Sequence, residues 1–172
     1  MMQIKLEKSR VNLFLIDGNK DNIAFDCFKN ASKEKGGYVI SWQTPEMLNE
    51  RYGITVELAS LYPSHAIPKS NAINYLSLDD ITYSKLERIG CKCRNSLEAK
   101  MPFMFDGFEQ LTFKPEDEEP KYGPESLRIF LHELADNAKT SATPIIIPIN
   151  KQLYKRDLIY VSRYVVEHDI SN

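Results

Sequence analysis

Apolar residues fall along this chain in short dense runs, each closed by a turn signal. VNLFLI (11–16) is followed by Asp17-Gly18-Asn19, and YVISW (38–42) follows Gly36-Gly37. Runs of this length bounded by such residues predict strands buried on both faces. Between these two, Asp21 or Asn22 caps a short helix to about Lys33 that buries Ile23 and Phe28. Thr44-Pro45-Glu46 then opens a helix with a capping hydroxyl, a proline in the first turn and an acid at the positive dipole end. It stops at Gly53. A second helix is predicted from Thr55 to Tyr62, since Pro63 cannot continue it.

INYLSL (73–78) reads as a short strand, and Asp79 or Asp80 as the cap of a longer helix. Leu86, Ile89, Cys93 and Leu97 share one face of that helix, with Gly90 as an alternative end. MPFMFDGFEQLTF (101–113) predicts a hairpin turning at Asp106-Gly107. The acidic, proline-bearing 114–125 reads as a linker or loop. Glu125 to Ala138 is an amphipathic helix with Leu127, Phe130, Leu131 and Leu134 on one side. PIIIPI (144–149) reads as an edge strand because of its two prolines. The end, 157–169, fits helix or strand, and the positions of Leu158, Val161 and Val165 favour helix.

Length and composition narrow the function classes. With 172 residues the chain suits a single domain (1–172), and 42% hydrophobic content is enough for a real core. The 22 basic and 24 acidic residues nearly cancel, which argues against a nucleic-acid coat or a membrane-surface protein but leaves room for a local basic face. Three cysteines, an odd count, predict a reducing compartment. The N-terminal run is too short for a signal-peptide core, and no stretch approaches the roughly 20 apolar residues of a membrane helix. A cytoplasmic protein without a membrane partner is expected.

The window 43–90 reads in order as helix, turn, helix, loop, short strand and capped helix. Thr44, Leu48, Gly53, Ile54-Thr55, Tyr62, Ile67-Pro68, Tyr75 and Asp80-Ile81 stand where the pattern of one family has its marks. On these residues the segment resembles the excisionase and MerR-type winged helix-turn-helix family. The resemblance covers about a quarter of the chain and implies double-stranded DNA as partner. The helix from Thr55 would enter the major groove, presenting Thr55, Ser60 and His65, with Lys69 and Asn71 in the wing. Arg88, Lys92 and Arg94, within the most basic stretch (85–100), would meet phosphate.

Candidate chemistry is sparser. Asp17 ends the first apolar run, a place where some folds hold a metal, although Asp-Gly is also an ordinary turn. Asp79 or Asp80 with Glu98 and Lys100 has the outline of a Mg²⁺-dependent nuclease set, which would need the acids and the lysine in one site. If the helix continues past Gly90, Cys91 and Cys93 lie about 200° apart on it and cannot share zinc. His132 and Asp136 can pair at i and i+4.

The sequence therefore predicts an α/β or α+β single domain with a winged helix-turn-helix-like middle at 43–90. It predicts a small non-catalytic binding protein, with no catalytic residues, metal or cofactor assigned, acting as a DNA-binding regulator of a mobile element or phage. The alternative is a protein-binding adaptor or inhibitor that uses the 101–125 hairpin and acidic loop.

Overall fold

The computed structural model describes residues 4–18, 21–60, 66–81, 85–112 and 122–170. The expectation of a winged middle is overturned: the chain builds one seven-stranded sheet in which every pair is parallel. The first apolar runs form β1 (Val11–Ile16) and β2 (Gly37–Ser41), and α1 (Asn22–Ala31) joins them. After α2 (Pro45–Tyr52) come β3 (Glu57–Leu58) and β4 (Ile73–Ser77), then a 3₁₀ turn at Leu78–Asp80 and α3 (Lys85–Glu98). β5 (Phe103–Asp106) leads into the short α4 (Phe108–Thr112) and then α5 (Pro124–Lys139). β6 (Ile145–Asn150), a mixed helical stretch over 151–164 and β7 (Val165–Asp169) complete the sheet, whose order is β3-β4-β2-β5-β6-β1-β7.

Two cores sit on opposite faces, and the strands feed them alternately. Val11, Leu13 and Leu15 of β1 face one core, whereas Phe14 and Ile16 face the other. The first core is covered by α3, α5 and the 151–164 stretch, and the second by α1 and α2. This is a doubly wound α/β fold of the Rossmann-like kind. Connections through α1 and α2 run toward the β3 edge on one face, and those through α3, α5 and 151–164 run toward the β7 edge on the other. That is the pattern expected when all crossovers share one hand.

The 43–90 window is absorbed into this sheet. Its first helix forms as its caps predict: Thr44 Oγ1 accepts from Met47 N at 3.2 Å, and Gly53 closes the helix at φ +68°. The second helix does not form over 55–60. Glu57 and Leu58 pair with Asn74 and Tyr75, and Ala59 N donates to Tyr75 O at 2.7 Å. The outer rim of β4 takes backbone partners there that a helix would have denied it. Tyr62 and His65 lie outside the described residues.

Other local expectations change for related reasons. Asp106-Gly107 is not a hairpin turn but the end of a buried strand and the start of α4. Residues 165–169 are a strand, not a helix, because β1 has an open side that Val165–Asp169 fills in register. Asp79 and Asp80 lie in the 3₁₀ turn rather than capping α3, and α3 runs through Gly90, where an added Cβ would meet nothing within 4 Å. Of the 114–125 loop, 114–121 lies outside the described residues. Among the described residues no helix is long and apolar enough to cross a membrane.

β6 is central, not an edge, despite Pro148. Ile145 N donates to Arg10 O on the β1 side, so alternation aims position 148 toward β5. The β5–β6 ladder ends at Met104–Ile146, and Pro148 therefore withholds a donor where β5 has already turned away. The two strands part at their carboxyl ends.

Gly36 shows how closely loops are fitted at the opposite edge. It sits at φ +92°, and a Cβ there would lie 2.4 Å from Ala72 O. Gly36→Ala is expected to lower stability by more than about 2 kcal/mol, seen as a lower urea midpoint with an unchanged m-value.

Candidate functional site

β2 and β5 are neighbours, yet their connections leave in opposite directions on opposite faces. In open parallel sheets this switch point creates a crevice beyond the strand ends, where ligands bind. A cavity of about 300 Å³ opens here, lined by Asp21, Trp42, Arg51, Asp106, Glu109 and Asn150 among others. That volume is at the lower end of small-molecule sites.

Ser41 and Asp106 end the β2–β5 ladder opposite each other. Ser41 Oγ donates to Asp106 Oδ2 at 2.6 Å, and Gln43 Nε2 donates to the same oxygen at 2.9 Å. Gln43, fully buried, is the hub of the network. Its Nε2 also donates to Tyr52 Oη at 3.2 Å, and its Oε1 accepts from Arg51 Nη1 at 2.5 Å. Tyr75 Oη donates to its carbonyl at 2.7 Å. Tyr52 Oη donates to Asp21 Oδ2 at 2.5 Å, and Arg51 Nη2 lies 3.5 Å from Asp21 Oδ1. Phe25 stacks on Tyr52 with ring centroids 3.8 Å apart. The first residue before α1, the end of α2 and the tips of β2 and β5 are thus tied together, holding the site in one geometry.

Asp106 is only 5% exposed and lines the cavity. Both of its hydrogen bonds fall on Oδ2, and Oδ1 is not among the fully enclosed unpaired atoms. Oδ1 is the oxygen left for the cavity. Burial pushes this carboxyl up to about 6, and the negative charges of Asp21 and Glu109 add to the rise. The bonds from Gln43 and Ser41 pull the other way without cancelling it.

Glu109 occupies the gap where β5 leaves β6. Its Oε1 accepts from Asn150 N at 2.5 Å, the strand N–H that lost its ladder partner. Burial also raises the Glu109 carboxyl. Asn150 turns its side chain the other way, and its Oδ1 accepts from Gln152 N and Leu153 N. Gly107 allows the sharp exit from β5: at φ +146° a Cβ would lie 2.8 Å from Leu78 Cδ2 and 3.6 Å from Trp42 Cδ1.

The residues expected to meet DNA do not share a recognition helix. Thr55 and Ser60 are exposed outside any helix, and Thr55 Oγ1 accepts from Asn49 at 3.4 Å. Lys69 pairs with Glu57 at 2.7 Å, and Asn71 sits in a turn at φ +60°. Lys92 is 2% exposed and donates from Nζ to Ser60 O at 3.0 Å, so it braces the fold from inside. Burial lowers its pKa. Arg88 is half-buried on α3. Arg94 lines a separate cavity at the amino-terminal edge of the sheet with Glu98 and Lys100. Asp79 and Asp80 follow β4 at the carboxyl edge, a strand length of roughly 17 Å away, so the nuclease set is not assembled.

Asp17 is exposed at the end of β1. No group of three or more metal-binding side chains occurs among the described residues. Cys93 is buried and burial raises its thiol; Cys91 is half-buried. His132 and Asp136 pair at 3.6 Å on the α5 surface. No protein-family model matches this chain, and no curated protein is similar to it in sequence.

Proposed function

We propose that this protein binds a small polar ligand in the crevice beyond β2 and β5, with Asp106 as the principal contact. The supporting observation is the Asp106 carboxyl, buried on one oxygen by Ser41 and Gln43 and left open on the other. A buried polar group normally finds partners for its hydrogen-bonding capacity. At a switch point, beside a cavity, the open oxygen is placed to accept from a ligand. A cytoplasmic setting agrees with cysteines held as thiols.

The crevice is not a phosphate cradle. Such cradles use a glycine-rich turn feeding a helix N-terminus. Here the residue before α1 is Asp21, which lines the cavity, and the β1–α1 connection has a single glycine, Gly18.

A crystallographic fragment screen tests the reading. Fragments should collect between Trp42, Asp106 and Asn150, and Asp106→Ala should lose them. Fragments that settle only elsewhere, or that bind Asp106→Ala unchanged, refute it.

A further inference from the structure

The chemistry of the open oxygen narrows the ligand, on the condition that the crevice is the binding site as proposed above. A carboxylate oxygen accepts and cannot donate when ionised, and a positively charged N–H is its strongest partner. Among the described lining residues Asp21, Asp106 and Glu109 carry carboxyls, and Arg51 carries the guanidinium. Arg51 is engaged by Gln43 and Asp21. Trp42 lines the same cavity at 41% exposure, an unusual degree for the one tryptophan of the chain. An indole beside carboxylates favours a ring that carries positive charge, since its quadrupole attracts cations. Asp21 before α1 disfavours an anion in the same space.

We propose that the crevice takes a small organic cation with a flat ring, its charged nitrogen on Asp106 Oδ1 and its ring against Trp42. Binding then strengthens as pH rises through the titration of Asp106. Asp21, Arg51, Tyr52 and Glu109 are the ionisable groups that face this carboxyl from α1, α2 and α4.

Three probes of nearly equal shape and different charge make the test: benzamidine (cationic), benzamide (neutral) and benzoate (anionic). Trp42 is the single tryptophan, so intrinsic fluorescence of the full chain reads the crevice directly. At pH 7.5 benzamidine is expected to change the emission saturably, with benzamide and benzoate at least tenfold weaker. Asp106→Asn should weaken benzamidine at least tenfold, and moving the wild type to pH 5 should also weaken it. A response to benzoate or benzamide equal to that of benzamidine, yet lost in Asp106→Asn, overturns the cation and leaves the crevice standing. A benzamidine response indifferent to Asp106→Asn overturns it too, as does no benzamidine response at all. Silence from all three probes together with an empty fragment screen removes the crevice reading as well. If Asp106→Asn fails to fold, Trp42→Ala read by calorimetry serves instead, with at least fivefold weaker benzamidine binding expected.

Discussion

Asp106→Asn is expected to make the fold more stable at neutral pH while removing the ligand contact. The folded-state carboxyl titrates at about 6, against 3.8 for its ordinary value. A carboxyl raised on folding contributes stability that is fully present below pH 3.8 and is lost as pH climbs through about 6. Between pH 3 and 7.5 the wild type should thus lose about 3 kcal/mol relative to a variant that cannot ionise. Asparagine keeps an oxygen for Ser41 and Gln43 and turns its amide nitrogen to the cavity, so the internal bonds survive. The melting temperature of the variant should exceed that of the wild type by roughly 6–12 °C at pH 7.5 and match it near pH 3. A difference between the two proteins that stays constant with pH would contradict the account. The trade of stability for an awkwardly placed charge is what a working site produces.

The second large effect is in the core behind the site. Phe105 precedes Asp106 on β5, is fully buried and meets Phe108 and Phe130 edge-on at 6.1 Å each. Phe105→Ala is expected to cost about 3–5 kcal/mol, from lost burial and the cavity left behind. Against a typical total of about 5–15 kcal/mol, that is a large fraction of the stability. The urea midpoint should fall by at least about a fifth. Because the β5 tip leans on this cluster, ligand affinity should fall as well. Retention of full stability would mean that the aromatic cluster is not the main support of β5.

The strands that supply the sheet were largely legible in the sequence, and their arrangement was not. VNLFLI, YVI, INYLS and the IIIPI run are mostly apolar segments, as strands covered on both faces tend to be. Residues 55–60 and 165–169 were misread because local pattern cannot say that β4 and β1 have open sides waiting to be paired. Pro148 misled for a similar reason: its missing N–H costs nothing where β5 and β6 separate, a fact of register invisible in one dimension.

The site was missed because Asp106-Gly107 is also a common turn pair. A signal was nonetheless present. Apolar runs end in polar residues at Asp17, Ser41, Asp106 and Asn150, and in a parallel sheet all such ends lie on one edge. Recognising that the runs were parallel would have collected most of these ends in one place. Gln43, Asp21, Arg51 and Tyr52 carry no motif at all, and only the fold brings them together.

Titration of the Asp106 side-chain carboxyl by ¹³C NMR, assigned by its disappearance in Asp106→Asn, tests the central claim most directly. The account predicts a midpoint of about 6 in the free protein, falling when a cationic ligand occupies the crevice. A midpoint at the ordinary value of 3.8, unmoved by any ligand, would contradict it.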